Sequence, residues 1–165
     1  MHTDLFTELN SVYKPLCEKV SQIKNKLIDA GFSAAQGFYN NHYVRRGDGF
    51  EAEHFPIPVI SVADMGDIDH RYIDIGVDVD SIWIELKLSK AKAMEMDYPS
   101  LSRAYRMEVY GAEDYLNDFC NAQTDPRDAA QKLEASGETE ICILIYLDIS
   151  CDLDEPVQLV KLFST

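Results

Sequence analysis

Basic residues are scarce in this chain: 15 Lys and Arg stand against 29 Asp and Glu in 165 residues, a formal net charge of −14. A surface of that sign repels phosphate, so attraction to nucleic acid or anionic lipid is disfavoured, and no nucleic-acid partner is expected. Long apolar runs are missing as well. No stretch approaches the about 18 consecutive apolar residues that a membrane helix needs, and no membrane association is expected. The first residues, Met1-His2-Thr3-Asp4, lack the basic and apolar regions of a secretory signal. The four cysteines, Cys17, Cys120, Cys142 and Cys151, form no C-x-x-C pair and have no histidine at finger spacing. They are expected as free thiols in a reducing compartment, which makes the expected location cytoplasmic. His42, His54 and His70 fall in no H-E-x-x-H, the serines in no G-x-S-x-G, and Gly47, Gly49 and Gly66 in no phosphate loop. No cofactor is expected.

What is present is enough apolar material, 46% of residues, to build the core of one domain spanning 1–165. The charge is unevenly placed. Residues 1–60 hold six basic and seven acidic side chains, whereas 61–165 hold nine and 22, so −13 of the −14 follows residue 60. Asp64, Asp67, Asp69, Asp74, Asp78 and Asp80 crowd a short span with Arg71 as the nearby cation. Solubility alone accounts for such a charge; a located surface that steers a basic partner is the sharper reading.

Leu5, Leu9, Val12, Leu16, Val20, Ile23 and Leu27 recur at helical spacing, predicting a long N-terminal helix that Gly31 stops and Pro15 bends or divides. A strand follows at Phe38 to Val44, then a second strand or strand pair over Phe50 to Val62, where Pro56 and Pro58 argue for an edge position or an irregular stretch. Ile73, Ile75, Val77 and Val79 alternate with polar residues, and Ile82, Ile84, Leu86 and Leu88 repeat the pattern: an antiparallel hairpin over 71–89 with one apolar face. Leu101 to Tyr110 fits a helix or a strand, Ala112 to Cys120 a short helix, and a further helix starts with Thr124 or Asp125 as its cap and Pro126 in its first turn and stops at Gly137. Residues 140–149 are apolar on both faces, which predicts an interior strand. Asp152, Asp154 or Glu155 opens a C-terminal helix. The expected fold is α+β: a mainly antiparallel sheet with the long N-terminal helix and the C-terminal helices packed on it.

Asp74 followed by Glu85-Leu86-Lys87 carries the most specific chemistry. Two carboxylates on adjacent strands can hold a divalent cation that polarises a phosphodiester, while a lysine orients the attacking water. This pattern resembles the Asp…(Asp/Glu)-x-Lys signature of restriction-endonuclease-like nucleases, over residues 74–87 only, and Ile73 stands where that family usually has proline. The resemblance implies metal-dependent nuclease activity with Asp74, Glu85 and Lys87 as catalytic residues; Glu8 or Glu18 would supply a helical acid. The plain alternative is that a hairpin's solvent face must be polar. Asp64, Asp67 and Asp69 are weak metal candidates, because Gly66 falls third rather than sixth and breaks the calcium-loop pattern.

Tyr72 and Trp83 occupy the polar face of the same hairpin as Asp74, Asp78, Asp80 and Glu85. Rigid aromatics among carboxylates suit recognition of a basic protein. Burial under a covering helix is the competing account of those aromatics. The expected function is accordingly a non-catalytic binding or regulatory module whose acidic, aromatic sheet face receives a basic partner, with the nuclease as the rival. The sequence leaves the oligomeric state open.

Overall fold

The computed structural model describes residues 2–39, 42–46, 49–53, 57–63, 72–78, 80–114 and 116–164. Helix α1 (His2–Asp29) leads into strands β1 (Ser33–Tyr39), β2 (His42–Arg46), β3 (Gly49–Glu53), β4 (Ile57–Ala63), β5 (Tyr72–Val77) and β6 (Ser81–Ser89). Helices α2 (Lys90–Met94) and α3 (Tyr98–Ala104) precede β7 (Arg106–Gly111) and β8 (Asp118–Cys120). A 3-10 turn (Pro126–Asp128), α4 (Ala129–Ala135), β9 (Glu140–Asp148) and α5 (Asp154–Ser164) complete the order. Seven strands form one antiparallel sheet in the order β1-β4-β5-β6-β9-β7-β8, and β2 and β3 pair with each other as a separate ribbon. The fold is α+β, as the hydrophobic periods predict.

One face of the sheet holds the core. The row Ile60–Ile75–Ile84–Ile145–Met107 runs straight across five strands, and every residue in it is buried. Val20, Ile23 and Leu27 of α1, Ala93 of α2, Tyr98 of α3, Leu133 of α4 and Val157, Val160 and Phe163 of α5 join the same cluster. All five helices therefore cover that one face.

Local chemistry sets the ends. Helix α1 stops in a Schellman motif: Gly31 takes φ +94°, Phe32 N donates to Leu27 O at 3.0 Å and Gly31 N to Ile28 O at 2.9 Å. Asp97 caps α3 by accepting from Ser100 N at 3.1 Å, and Ser89 caps α2 by accepting from Lys92 N.

The structure corrects some of these expectations and resolves one left open. Pro15 does not divide α1: one lost backbone hydrogen bond does not end a 28-residue helix whose later turns pack Val20, Ile23 and Leu27 into the core. Strand β4 is interior rather than an edge, and Pro58 is accommodated because the β4–β5 ladder begins only at Val59. Residues 101–110 are helix and then strand, divided at Tyr105. Residues 112–114 and 116–120 hold a turn and β8 instead of a helix: the Asp114 carboxylate accepts from Leu116 N at 3.0 Å and competes with helical pairing, leaving Leu116 92% exposed. Asp64, Asp67, Asp69 and Pro56 lie outside the described residues.

Candidate functional site

The second face of the sheet gathers the residues that carry chemistry. Side chains alternate along each strand, so the cross-strand register alone fixes their neighbours. Asp74 stands directly opposite Glu85, Gly76 opposite Trp83, and Tyr72 opposite Lys87. Beyond β6 the rows continue onto β9 and β7: Glu85–Leu144–Glu108, Trp83–Tyr146–Arg106 and Lys87–Cys142–Tyr110. Asp78 and Asp80 flank the β5–β6 turn, where Asp78 N donates to Ser81 O at 2.8 Å. Among the described residues no helix packs on this face: the buried helix residues, Pro156 apart, belong to the cluster on the other side. Val59 and Cys142 are the buried apolar residues here, and Trp83, Glu85, Lys87, Leu144, Tyr146, Glu108 and Tyr110 are half-buried.

Trp83 is held flat. A β-carbon at Gly76 would lie 2.0 Å from Cε2 and Cζ2 of the indole, so the ring rests on the bare backbone of its cross-strand partner. Next along the row, the Arg106 guanidinium sits 4.4 Å from the centroid of the Tyr146 ring, a cation–π contact. The Tyr146 hydroxyl donates to Glu108 Oε2 at 3.3 Å. Burial, with the Glu108 carboxylate adding to it, pushes the Tyr146 phenol up to about 12. Burial also raises the Asp74 carboxyl above its ordinary value, against the opposing hydrogen bond from Ser61. Lys87 Nζ pairs with Glu140 Oε2 at 2.7 Å.

The six residues expected to bind a partner thus share one hairpin: Tyr72, Asp74, Trp83 and Glu85 along its outer face, Asp78 and Asp80 at its turn. The side chain of Tyr72 lies outside the described residues, although its register with Lys87 is fixed. Of the proposed catalytic set, Asp74 and Glu85 are direct neighbours, while the Lys87 ammonium is engaged by Glu140. Glu18 is exposed on α1, which packs against the opposite face of the sheet, so it does not join them. Among the described residues no group of three His, Cys, Asp or Glu is placed to hold a metal ion.

Sequence reasoning missed Arg106, Glu108, Leu144 and Tyr146. Their alternation on β7 and β9 carries the signal, but nothing local says that β9 inserts between β6 and β7. None of the four cysteines is in a disulfide; Cys120 and Cys142 are buried and Cys17 and Cys151 half-buried. Burial raises the thiols of Cys120 and Cys151, which makes both poor nucleophiles. No helix among the described residues is long and apolar enough to cross a membrane.

No protein-family model matches the chain, and no curated protein matches it. Among solved structures it is similar to a conserved hypothetical protein from Pyrococcus furiosus, with a TM-score of 0.66 and 21% identity, covering 99% of this chain and 94% of that one. The likeness establishes the shared α+β fold.

Proposed function

We propose that the chain is a non-catalytic binding or regulatory module of the cytoplasm, and that the second face of its sheet receives a basic protein partner. The observation that carries this reading is the row Gly76–Trp83–Tyr146–Arg106: two aromatic rings locked in place on a face that no described helix packs against. Aromatic rings fixed before binding lose little conformational entropy when a partner settles on them. Asp74, Glu85 and Glu108 line the adjacent row, and Asp78 and Asp80 extend the negative field to the hairpin turn. Such a field speeds and orients the approach of a cationic surface. The nuclease reading draws less support, because its lysine is neutralised by Glu140 and its field repels phosphate.

Trp83 is the sole tryptophan and reports directly on the face. Titration with a lysine-rich peptide should change Trp83 emission and lose that effect at high salt, whereas a glutamate-rich peptide of equal length should leave emission unchanged. The partner itself is sought by pull-down from the native host. Charge reversal of Asp74, Asp78 and Asp80 to lysine should then weaken its capture about tenfold or more. Unchanged capture by that variant sinks the acidic-face reading.

A further inference from the structure

Helices α2 and α3 are short, and the chain between them leaves a gap in the helical cover of the sheet. Helix α2 ends at Met94, and α3 opens only at Tyr98, where Asp97 caps it and Pro99 enters its first turn. The gap is held open by a fixed contact. The hydroxyl of Tyr98, a side chain 1% exposed, donates to Ala93 O at 2.6 Å and locks one helix to the other. Opposite stands the last turn of α5. Between them lies a cavity of about 350 Å³, lined by Leu88 and Phe163, both buried, and by Met96, Leu101 and Leu162.

Protein interiors leave few voids larger than a water molecule, and water in an apolar void finds few partners. We infer that this cavity is a binding site for a neutral, mainly hydrocarbon small molecule. Volume sets its size. A dry cavity of about 150 Å³ holds one benzene ring, so this one takes a body of about two rings. The polar residues at the cavity set its chemistry, because each is already engaged. Lys92 Nζ pairs with Glu95 Oε2 at 3.3 Å. The Asp97 carboxylate accepts from Ser100 N at 3.1 Å and from Ser100 Oγ at 2.7 Å, and Ser100 Oγ accepts from Arg103 Nη2 at 3.0 Å. Two cations and two carboxylates thus balance around the rim. An ionic ligand would have to break one of these contacts to be held, whereas a neutral apolar one leaves them all intact. An anionic amphiphile meets the further penalty of the chain's −14. Met96, unbranched and polarisable, adapts the wall to the shape that enters.

The cavity lies among the helices on the core side of the sheet, and Trp83 points to the other face, so this inference stands apart from the partner-binding surface. N-phenyl-1-naphthylamine, a neutral probe that fluoresces strongly only in apolar surroundings, should bind the full chain saturably, one to one, and independently of salt. Anilinonaphthalene sulfonate carries the same rings with a negative charge and should bind about tenfold or more weakly. Met96→Trp fills the cavity from its wall, and Leu162→Asp puts a charge at its mouth. Each should weaken the neutral probe about tenfold or more with an unchanged circular dichroism spectrum. Leu162 is 59% exposed, so its variant carries the test even where the larger side chain at position 96 disturbs folding. Leu116→Asp removes an apolar side chain 92% exposed elsewhere and should change nothing. Absence of saturable binding overturns the inference. So does binding that both cavity variants leave unchanged, that Leu116→Asp weakens equally, or that is as tight for the sulfonate.

Discussion

The indole of Trp83 lies across Gly76, its cross-strand partner, so closely that a β-carbon at position 76 would stand 2.0 Å from two of its ring carbons and 2.5 Å from Nε1. The relationship is reciprocal. Glycine in a strand interior loses packing and pays backbone entropy, and the aromatic ring laid over it restores the lost cover. Gly76→Ala should lift the indole off the sheet, cost about 1–3 kcal/mol of stability, and shift Trp83 emission to longer wavelength as the ring meets water. Urea unfolding followed by circular dichroism, with emission spectra of the folded state, checks both effects. An alanine variant with unaltered emission would show that the ring does not rest there.

Asp74 links stability to the proposed function in an opposite sense. Its folded pKa lies above the unfolded value of 3.8 because burial penalises the charge. The folded state therefore holds the proton more tightly than the unfolded one. The stability this contributes is complete below the unfolded pKa and is lost as pH rises through the folded one, so at neutral pH the carboxylate is a cost. Asp74→Asn keeps an oxygen to accept from Ser61 and removes the charge. It should raise the urea midpoint at pH 7 by a small margin, erase that margin at pH 3, and weaken binding of the lysine-rich peptide. A variant that is more stable and binds less is the pattern expected of a residue kept for recognition.

How far the sequence foretold this arrangement depends on how local each signal is. The alternation of Ile73 to Val77 and of Ile82 to Leu88 is local, and the hairpin it predicts stands with Asp74 opposite Glu85. The two-sided apolar run of 140–149 correctly predicted an interior strand, observed as Glu140–Asp148 between β6 and β7. Its second face, however, is the half-buried row of Leu144 and Tyr146 rather than a surface under a helix. Pairing between residues as far apart in sequence as Trp83 and Tyr146 is a tertiary fact, so Arg106 and Tyr146 beside Trp83 had no local trace. The segment 112–120 misled for a different reason. Its apolar residues fit a helical period, but Asp114 folds the backbone into a turn first.

Tyr146 supplies an alkaline signature. Its phenol is pushed up to about 12 by burial and by the Glu108 carboxylate, against 10.0 in the unfolded chain. The folded state again holds the proton longer, so this contribution is full below pH 10 and is lost between pH 10 and about 12. Absorbance at the tyrosinate band should show Tyr146 ionising after the exposed tyrosines. Tyr146→Phe should flatten the fall in stability over that window, at a cost near neutrality of about 1 kcal/mol or less for its long hydrogen bond to Glu108. An unchanged alkaline slope in the Phe variant would mean that the phenol is freely solvated.

Glu138 is the one buried charged residue among those described, 7% exposed, and it organises the turn that ends β7. Its carboxylate accepts from Glu113 N at 3.2 Å and from Asn117 Nδ2 at 3.4 Å, tying those two residues together beside the end of the strand. Gly111 makes room for it: a β-carbon there would lie 2.2 Å from Oε1. Removing the carboxylate leaves the Glu113 amide without that acceptor, and adding the β-carbon expels the carboxylate, so both changes break the same contact. Glu138→Ala and Gly111→Ala should each cost about 1–3 kcal/mol. The double variant should cost clearly less than their sum, because the second change finds the contact already gone. Fully additive losses in urea unfolding would show that Glu138 and Gly111 act separately, and that the turn is held by the Asp114 carboxylate and backbone bonds alone.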